Sequence, residues 1–111
     1  MDNYKVVWSR ESVYDVADIA DYIELRFGCE RADRFNDEID AQAQALGKDY
    51  RLHPGTGIYY RKKLILKKVF KPSVIFYFVD EAAQTVYIIR VLRHERNWQK
   101  LLREGLVYTF D

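Results

Sequence analysis

Hydrophobic and polar positions divide the chain into strands and helices in a definite order. Two runs, Val74–Val79 and Thr85–Val91, are dense in β-branched and aromatic residues and are joined by a short polar turn. This pattern predicts two antiparallel strands. Tyr4–Trp8 predicts a short first strand, and Tyr59–Phe70 predicts one long strand or a strand with a break. Pro72 then marks a strand boundary, because proline has no N–H to give to a ladder.

Two helices are predicted between the first strand and the later ones. Ser9 is typical of a helix N-cap and Gly28 of a helix end, so the first helix is expected over Arg10–Phe27. The second is expected over Arg31–Leu46, with Gly47 ending it. The apolar stripes at helical spacing are Val13, Val16, Ala17, Ala20, Ile23 and Phe27, then Ala32, Phe35, Ile39, Ala43 and Leu46.

The two helices are joined by few residues, so they are expected to form an antiparallel hairpin that buries both stripes against a sheet. Asp15, Asp18 and Tyr22 lie opposite the first stripe and are expected to face water. The fold class predicted is α+β in the order β-α-α-β-β-β. The helical hairpin covers one face of an antiparallel sheet, the first strand lies at an edge, and a short C-terminal helix follows Trp98. Residues 1–111 are expected to form a single domain.

Composition and charge exclude several classes of protein. The 111 residues are 49% hydrophobic and 32% charged, as in a globular domain, and no apolar run approaches the roughly 20 residues of a membrane span. Cys29 is the only cysteine, so no intrachain disulfide can form and a cytoplasmic location is expected. Residues 1–57 carry 7 Lys+Arg and 12 Asp+Glu, while residues 58–111 carry 11 and 5, so the second half suits an anionic partner. The alternative is that the halves only neutralise each other.

Six landmarks recur in order along almost the whole chain. They are Tyr4-Lys5-Val6; Asp18-Ile19-Ala20-Asp21-Tyr22-Ile23; Ala32 with Arg34-Phe35; Tyr60-Arg61-Lys62; Ile75-Phe76-Tyr77-Phe78-Val79-Asp80; and Val86-Tyr87-Ile88-Ile89-Arg90-Val91-Leu92 running into His94-Glu95-Arg96-Asn97-Trp98. Together they resemble the RelE/ParE superfamily of toxins from bacterial type II toxin–antitoxin systems, with the ParE-like subgroup favoured.

The resemblance implies two different mechanisms. RelE-like members are ribosome-dependent mRNA endonucleases, whereas ParE-like members poison DNA gyrase without cleaving RNA. Both are neutralised by an antitoxin that wraps the toxin, so a cognate antitoxin and a toxin–antitoxin hetero-oligomer are expected. The family alone does not choose between gyrase and the ribosome with its mRNA.

Six cations between residues 61 and 71 form a first candidate site for a nucleic acid or another target. They are Arg61, Lys62, Lys63, Lys67, Lys68 and Lys71. Such a cluster neutralises phosphates, and the resemblance implies that nucleases of the family use cations on this sheet to hold RNA. The alternative is an edge strand whose lysines prevent aggregation.

A second group, Arg90, Arg93, His94 and Arg96, follows the last strand. On an extended strand Arg90 and His94 share a face, and His94 suits a general acid or base near neutral pH. The resemblance implies catalytic roles for Arg90, His94 and Arg96 in a nuclease, with Arg61 and Lys63 in support. The alternative is a structural histidine at the strand end, with arginines that pair with the acidic helices.

Two residues that the resemblance leads one to expect in a nuclease are missing. Val74 stands where such nucleases carry a phosphate-binding arginine, and their tyrosine has no clear match, Tyr108 being a possible substitute. The favoured hypothesis is therefore a toxin that acts by binding, with an mRNA endonuclease as the alternative. A degenerate toxin that only holds its antitoxin and represses its own operon is a third possibility. No cofactor, metal or membrane partner is expected.

Overall fold

A mixed five-stranded sheet forms the centre of the computed structural model, which describes residues 3–105 and 107–110. The elements are β1 Lys5–Trp8, α1 Arg10–Phe27, α2 Cys29–Gln44, α3 Leu46–Asp49, a 3-10 turn Tyr50–Leu52, β2 Gly55–Tyr60, β3 Lys63–Phe70, β4 Ser73–Asp80, β5 Thr85–Arg93 and α4 Trp98–Glu104. The strand order is β1-β5-β4-β3-β2, with β1 parallel to β5 and the other pairs antiparallel. The predicted α+β class, with a helical hairpin and a short last helix, is confirmed, but the sheet is not wholly antiparallel as expected, because the edge strand β1 runs parallel to β5.

The predicted long strand at Tyr59–Phe70 is in fact two strands, so the antiparallel meander has four strands instead of three. Arg61 and Lys62 reverse the chain with φ angles of 49° and 69°. Hairpins of this length favour positive φ at both turn residues, a conformation that Asn-Gly usually supplies. An Arg-Lys pair gives no such signal in the sequence.

The rotation of α1 differs from the prediction. Ser12, Ile19, Ala20 and Ile23 are its buried residues, whereas Val13 is 51% exposed. The other misplaced positions of the predicted stripe are Ala17 and Phe27, which are exposed, and the residues wrongly expected to face water are Asp15 and Tyr22, which are half-buried. The reason is that the N-terminal part of α1 binds the outer edge of β5, and this contact fixes which side of the helix faces the sheet.

The N-terminal part of α1 satisfies polar groups of β5 where β1 has ended. The Ser9 N–H donates to the carbonyl oxygen of Ile88 over 2.8 Å, and the Ser9 hydroxyl donates to that of Ile89 over 2.7 Å. The same hydroxyl oxygen accepts the Ser12 N–H at 2.9 Å, so Ser9 is the predicted N-cap and also a tie to the sheet.

The stripe of α2 is buried as predicted, but Gly47 does not end the helical segment. The chain continues through α3, and the Tyr4 N–H donates to the Gly47 carbonyl oxygen over 2.9 Å. A Cβ at position 47 would stand 2.7 Å from the Tyr4 carbonyl oxygen. Glycine is therefore needed here for close approach of the chain that enters β1.

The sheet is covered on both faces. The hairpin of α1 and α2 covers one face, where Ile75, Tyr77 and Ile88 belong to the buried core. On the other face α4 and residues 107–110 cover a second buried cluster that includes Phe76 and Tyr108. Residues 107–110, which follow α4, are irregular but pack against the body, while Leu106 and Asp111 lie outside the described residues. Within the described part of the chain, no helix combines the length and apolarity needed to cross a membrane.

Glu11 fastens the C-terminal segment to α1. Its carboxylate accepts the Thr109 N–H at 2.8 Å and the Thr109 hydroxyl at 3.2 Å, while the Thr109 carbonyl oxygen accepts the Arg10 N–H at 2.8 Å. Burial raises the pKa of Glu11, but these hydrogen bonds outweigh it and the net pKa is lowered. The carboxylate is thus favoured in the folded protein.

We expect acid to loosen this C-terminal segment. A lowered folded pKa means that the stabilisation by Glu11 is present above its unfolded pKa of about 4.3 and is lost as the pH falls through the folded pKa. Amide exchange at Tyr108 and Thr109, corrected for intrinsic rates, should therefore accelerate below about pH 4.3. Glu11→Gln should remove this pH dependence, while Glu24→Gln, an exposed carboxylate on the same helix, should retain it. The same acid response in Glu11→Gln would contradict this role.

Candidate functional site

The cations of β3 lie on both faces of the sheet and do not form one row. The Lys68 side chain points to the helical hairpin, where its ammonium donates to the Gln42 carbonyl oxygen over 2.8 Å and to Asp49 over 3.2 Å; the residue is only 5% exposed. Lys67 lies on the opposite face, with its ammonium 4.8 Å from the centre of the Trp98 ring. Lys68 thus ties strand to helix, whereas Lys67 remains a candidate contact.

Three cations cluster at the tip of the β2–β3 hairpin. Arg61, Lys62 and Lys63 are exposed, and none of them forms an ion pair with another described residue. The Arg61 guanidinium lies 5.2 Å from the centre of the Tyr60 ring. Lys71 is also exposed, but it follows β3 at the far end of that strand. Of the predicted basic strand, the hairpin tip is the densest exposed part.

The Arg90 guanidinium is held by a carboxylate of α1. Its Nε donates to one Asp15 oxygen over 2.6 Å and its Nη2 to the other over 2.9 Å. The Val91 N–H donates to the same carboxylate over 3.0 Å, at the edge of β5 beyond β1. Hydrogen bonding to Asp15 is the largest cause of a raised Arg90 pKa. Both hydrogen bonds of the Arg90 guanidinium to Asp15 therefore stabilise the fold.

The remaining three predicted residues lie at and beyond the end of β5. Arg93 contacts Glu95 and lies 3.9 Å from the centre of the Tyr22 ring. His94 and Arg96 are exposed in the following turn, where the His94 N–H donates to the Pro72 carbonyl oxygen over 2.7 Å. The His94 imidazole makes no hydrogen bond to the described residues. No carboxylate in the described part of the chain therefore orients it as a base.

The position where a nuclease arginine was expected is part of the core. Val74 is 2% exposed and packs in the second cluster with Phe76, Leu92 and Leu102. Tyr108 is also buried there: its N–H donates to the Tyr60 hydroxyl over 3.1 Å, and burial is the largest cause of its raised pKa. Neither residue presents a charged or readily ionised group to a phosphate.

A groove of about 520 Å³ lies between the helical hairpin of α1 and α2 and the β3–β4 turn. Apolar side chains of α1 and α2, including Ile23 and Phe35, form part of its lining together with Phe70 and Pro72. The charged residues that line it are Arg31, Glu38, Lys71 and Arg93. We call this the hairpin groove. An apolar floor with three cations and one carboxylate suits an amphipathic segment that carries acidic residues.

The sequence allowed arginines of this group to pair with the acidic helices, but it did not identify Asp15 as the partner of Arg90 or Arg31 as part of the hairpin groove. Asp15 and Arg90 are 75 positions apart, so no local spacing links them. Arg31 was read only as the start of a helix. Only the resemblance to the toxin family gave useful information about the site, because it placed Val74 at the position where nucleases of the family carry an arginine.

A helical hairpin on a four-stranded meander with a parallel edge strand is the architecture expected from the resemblance to the RelE/ParE toxins. The described residues contain no group of three or more His, Cys, Asp or Glu residues that could hold a metal ion. The chain belongs to the ParE toxin family of type II toxin–antitoxin systems, since the family model described as "ParE toxin of type II toxin-antitoxin system, parDE" matches residues 6–98.

Solved structures share this fold at low sequence identity. A chain of the chromosomal ParDE system from P. aeruginosa is 19% identical with a TM-score of 0.69, over 83% of this chain and 97% of that one. A chain of the RelBE2 toxin–antitoxin complex from Mycobacterium tuberculosis is 16% identical with a TM-score of 0.57, over 84% of this chain and 93% of that one. No curated protein sequence matches significantly.

Proposed function

We propose that this protein inhibits growth in the cytoplasm by binding a cellular target, with DNA gyrase the expected target, and that it does not cleave RNA. The observation that carries the proposal is the burial of Val74 in the second core. Cleavage of RNA needs positive groups that stabilise the charge developing on the phosphate. At this position the chain has an uncharged side chain that is buried in the core.

The arrangement of the other candidates supports the same proposal. Arg90 is engaged by Asp15, and Arg93 contacts Glu95 and Tyr22. His94 is exposed, and no described residue forms a hydrogen bond with its imidazole that would orient it. General acid–base catalysis depends on a positioned group of suitable pKa. The observation that favours the endonuclease instead is Lys67, an incompletely buried cation on the sheet face opposite the helical hairpin.

We expect growth inhibition to survive His94→Ala, because binding a target needs no proton transfer from the imidazole. The measurement is viability after induction, with primer extension on ribosome-bound mRNA. Lys100→Ala, another exposed residue near the same end of the sheet, is the matched control. In an endonuclease, His94→Ala would lower the cleavage rate by about 10²–10⁴-fold. Codon-specific cuts that vanish in His94→Ala would replace the binding mechanism with the nuclease.

The hairpin groove is the proposed site for the antitoxin. Its apolar floor would take the apolar face of an antitoxin segment, and its cations Arg31, Lys71 and Arg93 would pair with acidic residues beside that face. Phe27 lines the groove yet is 60% exposed. A large exposed aromatic ring beside cations is typical of an interface. The antitoxin would be the product of a neighbouring reading frame.

We expect Arg31→Glu combined with Lys71→Glu to slow association with the antitoxin by about tenfold or more at low salt, because charge complementarity governs the encounter rate. Both side chains are exposed, so the fold should tolerate the change. Stopped-flow mixing at low and high ionic strength measures the effect, which should shrink as salt screens the charges. Lys48→Glu with Arg103→Glu reverses two exposed cations outside the groove and should have little effect. Equal slowing by both pairs would exclude the groove as the site.

A further inference from the structure

A second cleft, of about 370 Å³, lies on the sheet face opposite the helical hairpin. Aromatic side chains line most of it, among them Tyr60, Phe78, Tyr87 and Phe110. We call it the aromatic cleft. Its volume is in the range of sites for small molecules, about 300–1,000 Å³. It is separate from the hairpin groove, which has no residue in common with it.

The aromatic cleft is also distant from Val74 and His94, which lie at the other end of the sheet. It is lined by Asp80, the last residue of β4, whereas Val74 is the second residue of that strand. Six residues of extended strand span roughly 20 Å. A ligand in this cleft would therefore not contact His94 or the core position that replaces the expected arginine.

The walls of the cleft are held in place by one another. The rings of Phe78 and Tyr87 stack with centroids 5.1 Å apart, and Phe110 meets Tyr87 edge-on at 4.9 Å. Tyr60 lies 5.7 Å from Phe78, and its hydroxyl accepts the Tyr108 N–H. A flat ligand would thus meet aromatic surfaces that are already ordered, which lowers the entropic cost of binding.

Charged groups stand at the edge of this aromatic surface. Arg61 and Lys63 line the cleft, and neither has an ion-pair partner among the described residues. Asp80 lines it too; one of its oxygens accepts the Ala83 N–H at 3.1 Å, and the other accepts no hydrogen bond from the described residues. The cleft therefore offers cations for an anion and a carboxylate oxygen for an N–H donor.

The backbone of the β2–β3 turn, next to the cations of the cleft, is in an unfavourable conformation. Arg61 and Lys62 both have positive φ, which costs a non-glycine residue free energy and recurs at ligand sites. Three successive cations at one turn also repel each other. An anionic ligand would relieve that repulsion, whereas Asn-Gly would give the same turn without charge or strain.

We propose that the aromatic cleft binds one nucleotide, with its base against the aromatic rings, its phosphate at Arg61 and Lys63, and a base N–H donating to Asp80. Stacking on aromatic rings combined with cations for the backbone is how proteins hold unpaired nucleotides. A sugar would supply no charge for the cations, and an acidic peptide would leave the aromatic surface largely unused. A free nucleoside phosphate and the unpaired end of a nucleic acid strand share this chemistry.

The test is a titration of the ¹⁵N-labelled full chain with guanosine monophosphate, guanosine, inorganic phosphate and a short single-stranded oligonucleotide. We expect saturable shifts at Phe78, Tyr87 and Phe110 with the monophosphate, and weaker binding of guanosine or phosphate alone. If the oligonucleotide binds more tightly than guanosine monophosphate, the ligand is the end of a nucleic acid strand. If the two bind equally, the ligand is a free nucleotide. Either result supports the site.

Variants separate the cleft from general attraction to basic residues. Arg61→Gln with Lys63→Gln should weaken binding about tenfold or more, because a hydrogen bond to a charged group is lost. Lys48→Gln with Arg103→Gln removes the same charge elsewhere and should leave binding within about twofold at moderate salt, where distant exposed charges are screened. Tyr87→Leu keeps an apolar wall and both cations but should also weaken binding, since stacking is lost. Conserved amide spectra confirm that each variant folds.

Several results would overturn the proposal. If inorganic phosphate bound as tightly as guanosine monophosphate, the cleft would be a simple anion site and not a nucleotide site. An acidic, aromatic peptide that shifts the same amides at lower concentration would assign the cleft to a protein partner. Shifts that stay linear into the millimolar range, or equal weakening by the Lys48→Gln/Arg103→Gln control, would leave no specific site.

Discussion

Replacing Phe35 with alanine is expected to destabilise the fold by about 3–5 kcal/mol. The ring is 6% exposed and lies on the buried stripe of α2, in the same core cluster as Ile19, Ile23 and Ile75. Truncation removes apolar contacts between the hairpin and the sheet and leaves a cavity that helices tied to a rigid sheet cannot fully close. Against a total stability of about 5–15 kcal/mol, this is a large part of the whole.

Equilibrium unfolding in urea, followed by the fluorescence of the two tryptophans, measures this change. The matched control is Val13→Ala, an apolar truncation on the partner helix at a position that is 51% exposed. That substitution should cost about 0.5 kcal/mol or less, as surface changes do. A cost for Phe35→Ala that does not exceed the control would contradict the packing of α2 on the sheet.

Removing the Asp15 carboxylate is expected to cost about 3 kcal/mol, the lower end of the loss when one partner of a buried ion pair is deleted, because Asp15 and Arg90 are only partly buried. Asp15→Ala would leave the Arg90 guanidinium, with its side chain only 21% exposed, without its counter-charge. It would also deprive the Val91 N–H of its acceptor at the open edge of β5. The next acidic residue of the helix, Asp18, is exposed, and Asp18→Ala should change stability little.

A double-mutant cycle separates the pair from its two members. Asp15→Ala with Arg90→Met leaves no unpaired buried charge, so the double variant should be more stable than Asp15→Ala alone. Unfolding in urea for the four proteins gives the coupling free energy directly. Additive losses would mean that Asp15 acts only through the Val91 N–H. The result also bears on function, because a loss of toxicity in Arg90→Ala would follow from weakened folding and would say nothing about catalysis.

Local physical chemistry determined much of the secondary structure. Ser9 and Gly28 gave the bounds of α1 because a hydroxyl cap and a positive-φ glycine are sufficient local signals. Strands β4 and β5 followed from dense β-branched and aromatic runs. The buried stripe of α2 was predicted correctly because its apolar residues recur at helical spacing and leave no alternative side of the helix to face the sheet. The landmarks along the chain also indicated the toxin family, which the family model confirmed.

The tertiary structure alone decided the features that depend on contacts between distant residues. α1 carries apolar side chains on more than one side, so its rotation was settled by Ser9 and Asp15, which bind a strand edge about 75–80 positions away. The turn at Arg61 and Lys62 has positive φ without the residues that announce it. Neighbouring Lys67 and Lys68 lie on opposite faces, and Lys68 alone is buried, because its ammonium binds Gln42 and Asp49 on the helical side of the sheet. Sequence patterns record which residues prefer burial or a given backbone, whereas the choice among compatible arrangements depends on the summed energy of long-range contacts.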